Sequence, residues 1–223
     1  MNYQFQFDAV FAAWPLLLKG TWITVQLSLT ATVLGLVVAI FCAWGKTGGP
    51  LWLRFLISAY IEVIRNTPFI VQLFFFFFAL PSIGLRWSPY TAALTAMVVN
   101  LGAYAAEIVR AGIESIPKGQ IEAGKALNLK PWEIFRFVIL KPALKAIYPA
   151  LTSQFILLML SSAVVSVISA DDLTSVAANL QSQTFRSFEI YIVVAVIYLT
   201  LALSFSALFK LIYQRTLNYP DRR

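Results

Sequence analysis

Between Thr21 and Trp44 the chain runs for 24 residues without a charged side chain. A helix rising 1.5 Å per residue needs about 20 apolar residues to cross the hydrocarbon core of a bilayer. Comparable stretches follow. The second begins after Arg54 and ends near Leu80, before Pro81, and is interrupted by Glu62, Arg65, Asn66, Thr67 and Pro68. The third covers Pro89 to about Val109, the fourth Ala143 to Ile168, and the fifth Ile190 to about Leu211. Soluble domains are about half apolar and about a quarter charged. Here 60% of the residues are hydrophobic and 12% charged, an excess that lipid must solvate. The expected fold is all-α and polytopic, with five transmembrane helices; the polar break in the second span could instead split it into an interfacial helix and a shorter span. A single membrane domain over residues 1–223 fits that length and leaves no room for a second, soluble enzyme domain.

The charges orient the spans. Residues 110–145 carry Arg110, Lys118, Lys125, Lys130, Arg136, Lys141 and Lys145. The connection after the first span adds Lys46 and Arg54, and the tail adds Lys210, Arg215, Arg222 and Arg223. The other connections hold only Lys19, Arg86 and Arg186. Basic residues are retained on the cytoplasmic side. The N-terminus is therefore expected outside and the C-terminus in the cytoplasm. Met1 to Ala13 shows no basic region followed by a cleavage site, so the first helix is expected to stay in the mature protein. The net charge of +7 follows from this bias and from anionic lipid, and calls for no nucleic acid.

Enzyme chemistry finds little support. Histidine is absent and Cys42 is the single cysteine, so no metal cluster or nucleophile–base pair is expected. Gly45-Lys46-Thr47 looks like the end of a phosphate-binding loop, but Ile40 stands where that loop needs glycine. A transmembrane helix precedes it where a strand is required. ATP hydrolysis must come from another subunit.

Two connections have structure of their own. Asp171 to Gln183 has an acidic, cap-like start and Leu173, Val176, Ala177 and Leu180 at helical spacing, so a short interfacial helix is expected. The connection between the third and fourth spans reads as two short helices. Pro117-Lys118-Gly119-Gln120 opens the first, which continues through Glu122, Ala123, Ala126 and Leu127 to Asn128. Pro131 suits the first position of the second, which puts Trp132, Phe135, Val138 and Ile139 on one face.

Glu122-Ala123-Gly124, then Asn128, then Val138-Ile139-Leu140-Lys141-Pro142 resembles the cytoplasmic motif of bacterial ABC importer permeases. In that family the motif docks into a groove of the ATPase subunit. Gly124 replaces the usual Ala, Asn128 the usual Gly, and the proline falls one place late. Asn is the second choice at a left-handed helix end. Gly124 weakens its helix by about 1 kcal/mol relative to Ala, and close approach to the ATPase backbone is one reason for it. The run Gly102 to Gln120 and the stretch Glu62-Val63-Ile64-Arg65-Asn66-Thr67-Pro68, with Phe74 to Phe78 and Leu80-Pro81 after it, are similar to the polar amino acid branch of that family. The likeness covers roughly Gly20 to Tyr213.

The resemblance implies a type I ABC importer permease-like fold and a coupling loop over about residues 112–142. Glu122, Ala123, Gly124, Asn128, Pro131 and Trp132 would form the ATPase-coupling site. It further implies an ATPase dimer that uses ATP and Mg²⁺, a second permease subunit, identical or paralogous, and an extracytoplasmic amino acid-binding protein. The place of action would be the bacterial plasma membrane, and this chain would bind no cofactor of its own. Gln72, Asn100, Gln154, Ser161 and Ser162 are polar residues at membrane depth and candidates for the pathway or substrate site. In the resembled branch the stretch at Met159-Leu160-Ser161-Ser162-Ala163 often carries Lys and Asp. Both are missing here, which implies a different amino acid or a substrate site in a paired permease. Glu62 with Arg65, and Glu107 with Arg110, are three apart on helices and can pair, as structural clamps or as parts of a cytoplasmic gate. The rival reading is an ATP-independent secondary transporter or channel, which predicts repeated halves.

Overall fold

A computed structural model describes residues 3–217, so Arg222 and Arg223 of the basic tail lie outside the described residues. All regular structure among the described residues is helical. After a five-residue α1 (Asp8–Ala12) comes α2 (Trp14–Gly48) of 35 residues. Then follow α3 (Leu51–Arg65) and α4 (Phe69–Phe74), which continues through a π turn (Phe75–Ala79) and a 3₁₀ turn (Leu80–Ile83). Next are α5 (Pro89–Glu114), α6 (Lys118–Ala126), α7 (Pro131–Glu133) and α8 (Leu140–Ser161), the last two joined by a π segment (Ile134–Ile139). A 3₁₀ stretch (Ser162–Ile168) extends α8, and α9 (Leu173–Thr184) and α10 (Ser187–Thr216) are the last elements among the described residues.

Among the described residues four helical stretches are long and apolar enough to cross a membrane: α2, α5, the continuous run Pro131–Ile168, and α10. The second expected span takes its split form, a bent pair of α3 and Phe69–Ile83 meeting at 110°, which makes a fifth span if the pair is counted as one. The break has a local cause. Pro68 has no N–H and drives its predecessor out of helical geometry, and Asn66 N–H closes α3 by bonding back to Glu62 O at 3.1 Å. At 15 residues α3 is about 22 Å long, too short to cross alone. Its exposed Leu51, Trp52, Phe55 and Leu56 make it amphipathic. The phenylalanine run after it winds as a π turn rather than a regular helix.

Two other boundaries differ from expectation. α2 begins seven residues before Thr21, because α9 lies along that extension. Leu17 is wholly buried there with Val10, Leu173, Ala177 and Ile190 in a second, smaller core. The fourth span begins at Pro131, since α7 is not a separate helix but the first turn of α8's run.

The main core is the α2–α5 interface, with α3, α4 and α8 against it. Lipid gives apolar side chains no reason to leave it, so membrane helices pack through small residues that allow close approach. The buried face of α5 reads Ala92, Ala93, Ala96, Ala103, Ala105 and Ala106. Gly102 has no room for more: a Cβ there would stand 2.8 Å from both Tyr60 Oη and Val38 Cγ1. At the other end of α5, a Cβ on Gly112 would lie 2.2 Å from Ile147 Cγ2 of α8. Along α10, Ile192, Val196, Leu199 and Leu203 are exposed on one flank, which only lipid or another subunit can cover.

Candidate functional site

The bundle has a basic end, where α2 stops, α5 stops and α6–α7 sit, and an opposite end, where α2 starts and α9 packs. At the basic end the α6–α7 turn is fixed by its backbone. Asn128 takes the left-handed conformation with φ 57°. Its N–H donates to Lys125 O at 2.9 Å, and Leu129 N–H to Gly124 O at 3.1 Å. These two bonds form a Schellman closure with Asn in the glycine position. Glu133 then caps the next helix, accepting from Lys130 N–H at 2.7 Å. The Gly124 expectation needs correction. Gly124 is buried within this chain, and its missing Cβ would lie 3.2 Å from Ile134 Cγ1, so the close neighbour is α7's own continuation. The surface left for a partner holds Glu122, Ala123, Asn128, Pro131 and Trp132, all exposed, and Trp132 stacks on Phe135 at 6.0 Å.

Behind the turn an ion chain ties α2 to α5. Glu107 joins Arg110 at 2.7 Å, as the spacing predicts, and it also takes Lys46 of α2 at 2.7 Å. Arg110 continues to Glu114 at 2.5 Å. Glu114 stands at i+4, a local signal absent from the pairs expected from sequence; Lys46 is a tertiary partner that spacing cannot reveal.

Glu62 and Arg65 go to different partners. Glu62 Oε2 accepts from Asn66 Nδ2 at 3.1 Å, while the Arg65 guanidinium sits 5.5 Å from the centre of the Tyr104 ring. Tyr104 Oη donates to Arg65 O at 3.4 Å. These four residues line a cavity of about 300 Å³ at the α3–α4 break. Asn66 and Tyr104 lay in quoted motifs, yet only the bend makes them one wall. Just behind, Gln72 repairs the broken backbone. Its Nε2 donates to Ile64 O at 2.7 Å and Thr67 O at 3.1 Å, and its Oε1 accepts from Asn100 Nδ2 at 3.0 Å. Gln72 and Asn100 are therefore brought together. Gln154 is half-buried on α8, Ser161 is exposed, and Ser162 turns inward to donate to Met159 O at 2.7 Å. No hydrogen bond among the described residues joins these three to the Gln72–Asn100 pair.

At the opposite end Asp172 is fully buried and caps α9, accepting from Ser175 N–H at 3.0 Å and Thr174 N–H at 3.2 Å. Burial pushes its carboxyl up to about 6 against the pull of those two donors. Leu173 N–H donates to Thr24 Oγ1 of α2 at 3.1 Å, which pins the start of α9. Glu189, which the sequence did not single out, is also fully buried. It accepts from Tyr3 Oη at 2.5 Å and Gln6 N–H at 2.9 Å, tying the N-terminal segment to α10.

Residues 31–218 match the family described as the binding-protein-dependent transport system inner membrane component. The chain belongs to that family. The matched residues include the α6–α7 turn, the ion chain and the α3–α4 break, so this permease carries all three inside its family region. It is 40% identical over 206 residues to the glutamine transport system permease protein GlnP of Escherichia coli K12, spanning 91% of this chain and 94% of that protein. It is 33% identical over 216 residues to the octopine transport system permease protein OccM of Rhizobium meliloti, covering 93% and 87%. The crystal structure of an amino acid ABC transporter with histidines superimposes with a TM-score of 0.89 at 38% identity, covering 96% of this permease and 100% of that chain. The type I importer fold and the multi-pass plasma-membrane location follow. So does the division of labour, in which the permease forms the pathway and a separate subunit hydrolyses ATP. The secondary-transporter reading is excluded.

Proposed function

We propose that this permease imports a polar amino acid, handed over by an extracytoplasmic binding protein and driven by an ATPase dimer docked on α6–α7. The observation that carries the reading is mechanical. The exposed turn around Glu122, Asn128 and Trp132 is locked by its Schellman closure and leads without a break into the run Pro131–Ile168. Motion of a partner seated on that turn is delivered directly into a membrane span. The basic end is then cytoplasmic, in keeping with its Lys and Arg residues. ATP and Mg²⁺ act in the partner, and a second permease completes the pathway.

The cavity at the α3–α4 break suits the cargo. A free amino acid carries both charges at neutral pH, and stripping water from either is costly. Glu62 and Arg65 face one cavity without being spent on each other, so an α-ammonium can pair with the first and an α-carboxylate with the second. Gln72 and Asn100 hold the break open from behind rather than touching cargo. Ser162 bonds to its own helix, and the Ser161-Ser162 stretch supplies no charge. That favours a neutral side chain over a cationic one.

Reconstitution tests this. Proteoliposomes holding the permease, its ATPase and its binding protein are expected to take up tritiated glutamine only with ATP. Glu62→Gln and Arg65→Gln are each expected to cut uptake at least tenfold while the complex still assembles. Uptake that persists without ATP overturns the mechanism. Wild-type uptake by both variants removes the cavity from the pathway.

A further inference from the structure

A second cavity lies at the opposite end of the bundle, in the groove between the start of α2 and α9. It measures about 330 Å³ and mixes an apolar floor that includes Ile23 and Val176 with four polar side chains, Lys19, Asp171, Asn179 and Gln183. The groove has a structural origin. Gly20 brings α9 against α2, since a Cβ there would stand 3.0 Å from Leu173 Cα, and the polar side chains stand beside that contact. Asp171 is held in the left-handed conformation, φ 57°, two residues after Ser169 at φ 58°. Asp tolerates that conformation better than most residues, though at a cost. Its neighbour Asp172 turns inward to cap α9, and Asp171 is left facing the cavity.

The two charges in this cavity are not spent. Lys19 and Asp171 lie on its walls, one on each side of the groove, and among the described residues neither has an ion pair or hydrogen bond, with each other or with anything else. Both side chains are solvent-exposed, so a ligand can reach them without first displacing a partner. One unpaired cation and one unpaired anion on the same cavity, more than an ion-pair distance apart, match a ligand that carries one charge of each sign. Asn179 and Gln183 can donate to or accept from its remaining polar atoms. We propose that this groove is a zwitterion-binding site: Lys19 takes an oxyanion and Asp171 an ammonium. It rests on the importer reading for its place outside the membrane and for its first source of ligand, an amino acid waiting to enter. The headgroup of phosphatidylethanolamine has the same chemistry, with a phosphate in place of the carboxylate.

The test uses the assembled permease–ATPase complex in nanodiscs of phosphatidylglycerol, which lack any zwitterionic lipid. Equilibrium binding is measured for each of the twenty proteinogenic L-amino acids, tritiated, and retention of added phosphatidylethanolamine is measured by native mass spectrometry. Lys19→Met keeps the apolar stem and Asp171→Asn keeps a residue that tolerates positive φ. Thermal unfolding confirms that both are folded. If the groove holds amino acids, one bound equivalent per permease weakens at least tenfold in both variants and survives in Glu62→Gln. If it holds headgroups, phosphatidylethanolamine retention falls in both variants and amino acid binding does not change. No binding of either ligand, or wild-type binding of both by both variants, overturns the assignment, even where ATP-driven uptake is intact. Groove binding that persists in a complex unable to import counts against the importer mechanism alone.

Discussion

Asn128 shows how a single residue can replace another by physics rather than by similarity. What the α6–α7 turn needs is a residue that accepts φ near 57°, and Asn meets that need as Gly does. Asn128→Gly is expected to leave stability and ATP-coupled uptake unchanged. Asn128→Ala keeps the Cβ but loses the short polar side chain that lets Asn tolerate the left-handed region, at about 1–2 kcal/mol. Hydrogen exchange of the α6 amides should then speed up roughly tenfold, and uptake should drop with it. Asp172 makes a second residue-scale case. Its carboxyl titrates at about 6 in the folded protein, while an unfolded chain releases that proton near 3.9. The folded state binds the proton more tightly, so this contribution to stability is full below about pH 4 and is lost as pH rises through about 6. Asn serves as well as Asp in capping. Asp172→Asn should therefore abolish that slope and unfold at a higher temperature than wild type at pH 7. Asp172→Ala removes the slope and the cap together and should be about 1 kcal/mol less stable than Asp172→Asn. Melting curves in mild detergent at pH 4.5 and 7 decide between these outcomes.

At the scale of elements, the broken span depends on Gln72. Breaking α3 at Pro68 leaves carbonyls with no helical partner in a region that offers little water. Gln72 takes two of them and anchors its own oxygen on Asn100. Gln72→Met keeps the side-chain length and leaves Thr67 O and Asn100 Nδ2 short of partners, at about 1–3 kcal/mol each where no water reaches them, while Ile64 O keeps only the long bond from Thr67 Oγ1 at 3.4 Å. A fall in the melting temperature, with greater proteolytic sensitivity at residues 64–68, is expected; an unchanged melting curve would show that water fills the break. The same elements mark what could be read from sequence. Long apolar runs, the Pro68 interruption, the Pro131 start and the Asn128 stop are local signals, and local signals fix helices. Those signals could not give the 110° bend, because Pro68 says where a helix stops but not where the next one points. The extension of α2 to Trp14 was also hidden, since its stability comes from α9, about 150 residues away. Among the candidate residues, the Glu107–Arg110 pair was local and therefore visible. Lys46 and Tyr104 reach their partners through tertiary packing. Gln72 was picked for its depth, and only the bend shows that its work is to close α3.

Over the whole molecule, the two ends are joined by one continuous helical run. From Pro131 to Ile168 the chain passes from the exposed turn, through the π segment, across the bundle and up to the strained Ser169–Asp171 corner next to α9. Gly112 clamps this run to α5 by seating Ile147, and the Lys46–Glu107–Arg110–Glu114 chain holds α2 to α5 beside it. Pro149 lies inside α8 and removes one backbone hydrogen bond, yet the helix carries on through it; a continuous helix in a braced frame transmits displacement, whereas one with a flexible hinge absorbs it. Ile139→Gly with Leu140→Gly places a hinge where the π segment meets α8, at about 1 kcal/mol per glycine in lost helix propensity. The surface on α6 and Trp132 proposed to dock the ATPase is untouched. The doubly substituted complex is therefore expected to assemble and to hydrolyse ATP at near wild-type rate, while uptake falls more than tenfold. If uptake and hydrolysis instead decline in proportion, the hinge has damaged docking or folding, and the helical run is not the route by which ATP binding reaches the pathway. If both remain intact, the displacement travels through α5 and its ion chain. Lys46→Met should then produce the uncoupling that the hinge did not.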